Sequence, residues 1–507
     1  MILNFGSQFA HLIARRIRDL GVKAEILPSN ASISNITKLN PSGIILSGGP
    51  ASVLEKRSPR PHKGIFDLKI PILGICYGHQ IIAHMLGGKV KKGGHREFGR
   101  ESLSVKYKYG ILSKLNSKEE VWFSHGDQVS KLPKGFVKIA STEKCPNAAY
   151  QHRAKQIYGI QFHPEVTHTK KGTTMLSNFI FLICKSKKEW GMDSVAKKSI
   201  LELRDKIKND HIIVGISGGV DSLVAATLIH KAVGKKLHAV FVNTGLLRTN
   251  EVQSVMKLLR KRKFDLHVVN ASELFLNKLK GVTDPEQKRR IIGHTFIEVF
   301  ENTIKSKLKK HDIKYIAQGT IYPDRIESAK SSKHASKIKS HHNLTLPKKL
   351  GFEVVEPIKD LYKDEVRRLG KILMLPKDML WRHPFPGPGL AVRIVGEITT
   401  DRLRILREAD AIFIDELIKA KEYKKIWQAF AVLLPLKTVG VMGDARTYEH
   451  IISLRAVDSV DGMSADWHKM PNELLEKISG SIVGKVRGVN RVLYDITQKP
   501  PATIEYE

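Results

Sequence analysis

Ile212-Ile-Val-Gly-Ile-Ser-Gly-Gly-Val-Asp-Ser-Leu223 joins an apolar run, a glycine pair and a helix-forming run in twelve residues. Its first five residues are an apolar run that stops at Gly218 and Gly219, which predicts a short buried strand. From Asp221 the pattern turns helical, with Leu-Val-Ala-Ala-Thr-Leu-Ile following Asp-Ser. A strand that runs into a Gly-Gly turn and opens a helix forms a cradle for anions. Backbone N–H groups point into one concavity, and the helix start adds its partial positive charge.

The Walker A pattern fails here, because no Lys follows the glycines. Ser217-Gly218-Gly219-Val220-Asp221-Ser222 instead places hydroxyls on both sides and a carboxylate at the helix start. A carboxylate beside a phosphate makes sense when a hard cation such as Mg²⁺ lies between them, with Asp221 as the candidate ligand. A bare Gly-Gly would be an ordinary strand-to-helix turn; the six-residue string resembles the pyrophosphate-binding loop of the ATP pyrophosphatases. That resemblance implies ATP binding by Ser217, Gly218, Gly219, Val220, Asp221, Ser222 and Leu223.

The chain has 507 residues, enough for about three domains of ordinary size. No apolar run approaches the ~20 residues of a membrane helix. Met1–Phe5 enters a predicted strand with no signal-peptide pattern, and Cys76, Cys145 and Cys184 form neither a disulfide framework nor a metal pattern. A cytoplasmic protein is expected. Lys plus Arg exceed Asp plus Glu by 85 to 50, a net charge of +35. The lysines are spread from Lys23 to Lys499, with no zinc finger or RNP-like string, so a solvated surface suited to polyanionic nucleotides is favoured over nucleic-acid binding.

Residues 1–190 read as alternating strands and helices, with strands at Ile2–Phe5, Gly43–Ser47 and Pro71–Ile75. The third strand ends at Gly74-Ile-Cys76-Tyr-Gly78, the nucleophile-elbow spacing with Cys in place of Ser. Small residues flank the nucleophile because the turn is tight, and a helix start stabilises a thiolate. Gln161-Phe-His163-Pro-Glu165 offers a base and an orienting acid, since residues two apart on an extended segment face the same way. Ser47-Gly48-Gly49-Pro50 places a backbone N–H where an oxyanion would form.

These strings, with Ser124-His-Gly-Asp127, resemble the triad-type glutamine amidotransferases, which release ammonia through a γ-glutamyl thioester on cysteine. The resemblance implies Cys76 as nucleophile, His163 and Glu165 as its partners, and the backbones of Gly49 and Tyr77 as oxyanion donors.

A boundary is expected near Trp190–Ser199. Beyond it, predicted strands at Leu237–Asn243, Leu266–Asn270 and Ile313–Gln318 are separated by predicted helices at Thr249–Lys261 and Pro285–Lys309. This is the pattern of a doubly wound parallel sheet, with ligands at the carboxyl ends of its strands. The Ser-, Lys- and His-rich segment Glu327–Lys349 is read as a lid over the phosphates, the alternative being a solvated loop. A helix start contributes only ~0.3–1 kcal/mol toward an anion. Millimolar affinity already requires about −4 kcal/mol, so cations must help. From His383-Pro-Phe-Pro-Gly-Pro-Gly-Leu390, a stiff linker in itself, the pattern becomes α+β: a helix at Thr400–Ala420, strands at Gln428–Leu434, Thr438–Met442, Ile451–Val457 and Val489–Tyr494, and a helix at Asn472–Val483. Lys499-Pro-Pro-Ala-Thr-Ile-Glu-Tyr-Glu507 is expected to dock rather than fray.

Across its full length the chain resembles the glutamine-hydrolysing GMP synthetases, a ligase family of purine biosynthesis. The resemblance adds Asn243–Arg248, Ile321–Asp324, Lys339–Asn343, His383–Leu390, Gly440–Asp444 and Lys499–Glu507 to the motifs above. It implies an α/β protein of three domains: 1–190 glutamine amidotransferase, 191–382 ATP pyrophosphatase, and a smaller α+β dimerisation and XMP-binding domain at 383–507. The substrates would be XMP, ATP and glutamine, the cofactor Mg²⁺ and the assembly a homodimer. XMP would be held by Arg248, Gln428, Lys499 and Glu505, with Lys339 in the lid. The sequence departs from the family at Asn4 and Asn243, where Asp is usual, and at Leu223, where Ser is. It also departs at Tyr506 (Trp), at His294 (often Arg) and around Thr345 (Gly-Gly). Two rivals remain open at this stage: a glutamine-dependent amidoligase with another acceptor, and a basic nucleic-acid-binding protein on an enzyme fold.

Overall fold

Strands β1 (Ile2–Asn4), β2 (Ile26–Pro28), β3 (Ile44–Leu46) and β4 (Ile72–Ile75) are followed by β5 (Lys89–Val105), β6 (Lys118–Lys131), β7 (Phe136–Ser141), β8 (Ala149–His152) and β9 (Ile157–Ile160). They make a nine-stranded sheet in the order β2-β1-β3-β4-β9-β8-β7-β5-β6. The computed structural model describes residues 1–7, 9–309, 311–322, 352–459, 462 and 464–507, so the predicted lid, Lys339 included, and Asp324 lie outside the described residues. The chain divides into two units, Met1–Ser194 and Val195–Glu507.

In the first unit β2, β1, β3, β4 and β9 pair in parallel. Ile2, Leu3, Ile44–Leu46, Ile72, Leu73 and Ile75 are buried, as parallel strands covered on both faces require. The remaining pairings, from β9 through β8, β7 and β5 to β6, are antiparallel. The expectation of alternating strands and helices up to residue 190 is therefore corrected between Lys89 and His152. The physical signal was a period of two: in β6, Val121, Phe123 and His125 are buried while Glu120, Trp122 and Ser124 are only partly so. Such alternation belongs to an antiparallel sheet with one covered face.

The second unit contains β10 (His211–Ile216), β11 (Leu237–Asn243), β12 (Asp265–Asn270), β13 (Ile313–Ala317) and β14 (Glu353–Val355). All pair in parallel, in the order β12-β11-β10-β13-β14. Strand order reverses at β10, so the Ser217–Ser222 loop at its carboxyl end lies at the switch point where such sheets bind ligands. A second sheet follows, built from β15 (Gln428–Met442), β16 (Ala445–Asp458), β17 (Asp466–Trp467) and β18 (Val489–Tyr494). The two strands expected at Gln428–Leu434 and Thr438–Met442 are one strand, whose pairing with β16 is interrupted between Leu433 and Lys437. Pro435 has no N–H for the ladder, which accounts for the break. One apolar cluster runs from Ile213 and Val240 through Leu403 and Phe413 to Leu454 and Ile482, so the two sheets share a core.

Residues Lys499–Glu507 are docked. Lys499 exchanges backbone hydrogen bonds with Ala465, and Ile504 packs with Phe430, Val432 and Val457. Arg393, fully buried, donates to both oxygens of Glu505 at 3.1 and 2.9 Å and lies 4.1 Å from the Phe430 ring centroid. Fully buried Lys288 holds the Glu507 carboxylate and donates to Ile394 O at 2.7 Å.

Breaking a buried, hydrogen-bonded ion pair from one side costs roughly 3–5 kcal/mol. Arg393→Ala is therefore expected to lower the denaturant stability of the full chain by about 3 kcal/mol. A loss below about 1 kcal/mol would show that Arg393 does not hold the tail.

Candidate active site

In the first unit, the turn after β4 is set by two glycines. A β-carbon on Gly74 would lie 2.4 Å from Gly78 O, and one on Gly78 would lie 2.1 Å from Leu46 O. No side chain fits either place. The turn forces Cys76 to φ 53° and ψ −104°, a sparsely populated conformation held because its N–H is tied to Ile160 O at 2.9 Å. The helix Tyr77–Met85 begins at the next residue, so the Tyr77 N–H belongs to the first turn and has no acceptor within the helix.

The structure brings His163 and Glu165 to this cysteine. Glu165 Oε1 lies 2.7 Å from His163 Nδ1, and both side chains are buried. A β-carbon on Gly48 would touch both His163 Cε1 and Cys76 Cβ, at 3.2 and 3.6 Å, which places the imidazole against the cysteine. Burial opposes a charge on His163. The Glu165 carboxylate and the Cys76 sulfur overcome it and hold the imidazole well above its usual pKa, so it carries a proton at neutral pH. His163 N donates to Trp122 O at 3.0 Å and Thr169 Oγ1 to His163 O at 2.6 Å, fixing its backbone from both sides. Neighbouring His125 is pushed down to about 4 by burial and stays neutral.

Gly49 follows Gly48, the glycine that meets both His163 and Cys76. Its Cα sits so close to β1 that a β-carbon would come within 2.6 Å of Phe5 O. Ser47 anchors this loop: it accepts from Phe5 N at 3.1 Å through its hydroxyl and from Gly78 N at 3.1 Å through its carbonyl. Asn4, the unusual residue here, caps the neighbouring turn by accepting from Gly6 N at 2.9 Å.

In the second unit, Gly218 has φ +79°, which favours glycine, and Gly219 is the N-cap of the helix Val220–Val233. Ser217 Oγ and Ser222 Oγ face each other at 3.3 Å across the loop. Gly319, after β13, packs on the helix start, where a β-carbon would lie 3.1 Å from Ser222 N. Asp221 Oδ2 is bonded to Lys363 Nζ at 2.5 Å, whereas its Oδ1 is buried with no partner among the described residues. An orphaned carboxylate oxygen beside a helix start is a fitting ligand for a hard cation. Leu223 faces the core, and its N–H is bonded to Gly219 O at 3.2 Å. Asn243 bridges strand ends, donating to Asn270 Oδ1 at 3.0 Å and accepting from Gly245 N at 3.1 Å.

Arg248, Gln428 and Glu505 come together. Arg248 Nε lies 2.8 Å from Asp410 Oδ2 and its terminal nitrogen donates to Ala429 O at 3.1 Å. Gln428 Nε2 donates to Glu505 Oε1 at 2.6 Å. Lys499 instead donates to Gly462 O at 2.9 Å. His383–Leu390 is more than a linker: buried His383 accepts from Ala429 N at 3.1 Å through Nδ1, and burial lowers its pKa to about 4. Its Nε2 then donates to Tyr423 O at 2.8 Å.

Three cations at these sites were not singled out from sequence. Lys363 binds Asp221, Arg382 binds buried Glu251 at 2.6 Å beside Gly218, and Arg393 binds Glu505. Only for Lys363 was there a local signal: Tyr362-Lys-Asp-Glu365 starts a helix, with Glu365 accepting from Tyr362 N at 2.9 Å.

Residues 1–183 match the family model of Glutamine amidotransferase class-I, residues 195–291 that of NAD synthase, and residues 415–506 that of the GMP synthase C terminal domain. A GMP synthase [glutamine-hydrolyzing] of Thermosipho africanus (strain TCF52B) is 54% identical over 510 residues, covering 100% of this chain and 99% of the relative. Proteins of the same name from Carboxydothermus hydrogenoformans (strain ATCC BAA-161 / DSM 6008 / Z-2901) and Aquifex aeolicus (strain VF5) are 53% and 52% identical, again with 100% and 99% coverage. A likeness of this degree over the whole length settles the family: the chain belongs to the glutamine-hydrolysing GMP synthases.

Proposed function

We propose that the chain makes GMP from XMP, using ATP and ammonia cut from glutamine, with AMP, pyrophosphate and glutamate as the other products. The observation that most supports this reading is a strained Cys76 against the His163–Glu165 pair, in a chain that also carries the Ser217–Ser222 loop with one Asp221 oxygen open. The GMP synthase C terminal domain match spans Gln428, Lys499 and Glu505, which disfavours an amidoligase with another acceptor. With the family shown, the net charge of +35 needs no nucleic-acid partner.

In the first unit Cys76 Sγ attacks the amide carbon of glutamine while the Gly49 and Tyr77 N–H groups take the charge on the oxygen. Protonated His163 gives its proton to the departing nitrogen, and ammonia leaves as the thioester forms. His163, now neutral, takes a proton from water, which cleaves the thioester to glutamate and restores the thiolate. Glu165 keeps the imidazole oriented and favours its charged form.

In the second unit the 2-oxygen of XMP attacks the α-phosphorus of ATP, and pyrophosphate departs into the cradle of Ser217, Gly218, Gly219, Val220 and Ser222. Asp221 Oδ1 fits Mg²⁺, which when bound supplies charge neutralisation to the pyrophosphate oxygens. Lys363, tied to the other Asp221 oxygen, adds a positive charge beside the loop. Ammonia then displaces AMP at the activated carbon. Arg248, Gln428, Lys499 and Glu505 are assigned to XMP, and Lys339 to the lid. Leu223 contributes packing under the loop.

We retain 1–190, 191–382 and 383–507 as the three functional parts. Val439, Val441 and Tyr448 project from the β15–β16 hairpin into solvent, which favours a homodimer through that face, a point sedimentation velocity decides. Among the described residues no helix is long and apolar enough to cross a membrane. Three free cysteines suit the reducing cytoplasm, where we place the enzyme.

Cys76→Ala is expected to abolish GMP formation from glutamine and to leave formation from ammonium intact. Glutamine-dependent activity in that variant would remove Cys76 from the nucleophile's role. Asp221→Ala is expected to remove both activities with little change in melting temperature. Full activity from ammonium in a folded Asp221→Ala protein would exclude Asp221 from the metal site.

A further inference from the structure

At the opposite end of the parallel sheet from the phosphate loop, histidines from successive elements converge. His211 is the first residue of β10, His238 the second of β11, and His311 lies just before β13. The strands are parallel, so these residues share the amino-terminal edge of the sheet. His211 and Ser217 are separated by a strand's length, about 20 Å. The phosphate site and this cluster therefore have no residue in common.

We propose that His211, His238 and His311 form a binding site for a zinc-like divalent cation, oriented from behind by Asp265. One nitrogen from each of the three imidazoles falls within 4.8 Å of the others. His211 Nδ1 and His238 Nε2 are 2.9 Å apart. Around tetrahedral Zn²⁺ at ~2.0–2.1 Å, two nitrogens stand about 3.3 Å apart, so binding replaces this hydrogen bond: the pair opens by a few tenths of an ångström and the rings turn until both lone pairs meet one ion. His311 closes the remaining gap by side-chain rotation, for which its exposed position leaves room.

The behaviour of the protons supports the site. β11 and β12 pair His238 with Asp265 in register, and His238 Nδ1 lies 2.6 Å from Asp265 Oδ2. That contact keeps the proton on Nδ1 and leaves a lone pair on Nε2, the atom facing His211. A ligating histidine that gives its other N–H to a carboxylate is the usual outer shell of a zinc site. His267 Nε2, 3.3 Å from the same Asp265 oxygen, also holds the carboxylate. In the metal-free chain His211 donates from Nδ1 to His238; binding requires only that its proton move to Nε2. Nearby Lys236 is drawn aside by Lys208 O and Asn209 Oδ1, at 2.9 and 3.0 Å. Three imidazoles with an open fourth position suit Zn²⁺, and Ni²⁺ or Cu²⁺ next, rather than the oxygen-seeking Mg²⁺.

The test is calorimetric titration of Zn²⁺ into the chelator-stripped full-length chain, with Co²⁺ absorption as the spectroscopic signature. Wild type and Cys76→Ser are each expected to bind one equivalent at this site, because the cysteine plays no part in it. His311→Gln, at an exposed position, and His211→Gln are each expected to weaken binding at least tenfold and to erase the Co²⁺ band. Asp265→Asn is expected to weaken it 10–100-fold with the band retained. No binding by the wild type, or affinity unchanged in His311→Gln and His211→Gln, overturns the proposal.

Discussion

Backbone lying against backbone at the carboxyl ends of parallel strands is the constraint on which both chemical sites depend. At Gly78 the contact is so close that a β-carbon would sit 2.1 Å from Leu46 O, and this closeness turns the chain sharply enough to present Cys76. In the second unit Gly319 lies against the Asp221–Ser222 backbone, closing the floor of the phosphate loop. Parallel pairing makes both possible, because it brings the ends of several strands to one edge and leaves loops there free for chemistry.

Charge is then placed by paired side chains. In the first unit the proton on His163 is stabilised by a buried carboxylate and by the cysteine it serves, which outweigh the cost of burial. In the second, Asp221 is bound on one oxygen and unpaired on the other, so Lys363 fixes the carboxylate's direction while leaving a ligand atom unused. The docked tail repeats the device, with Arg393 gripping Glu505, which in turn receives Gln428.

Much of this was legible from sequence because it is local. The Gly74-x-Cys76-x-Gly78 spacing, the His163-x-Glu165 pair and the Ser217–Ser222 string each lie within a few residues, and each obeys a short-range geometric rule. What escaped is non-local. Lys363 lies 142 residues from Asp221 and Arg393 lies 112 from Glu505; the helix start at Tyr362 marks where Lys363 sits but not its partner, and nothing near Arg393 marks it as buried or paired. The antiparallel arm from Lys89 to His152 was missed because its alternation is interrupted by polar and glycine residues. Pro435 made one long strand look like two. Leu223, which departs from the family, is a core residue whose side chain the loop does not use.

One chain cuts glutamine and hands the nitrogen to a nucleotide activated by pyrophosphate release. Incubating the protein with XMP, ATP, Mg²⁺ and amide-¹⁵N glutamine in unlabelled ammonium, and weighing the products by mass spectrometry, tests it most directly. The expected product is GMP carrying ¹⁵N on its new amino group, with AMP and pyrophosphate formed in equal amounts to it. GMP without the label, ADP in place of AMP, or no GMP at all would contradict it.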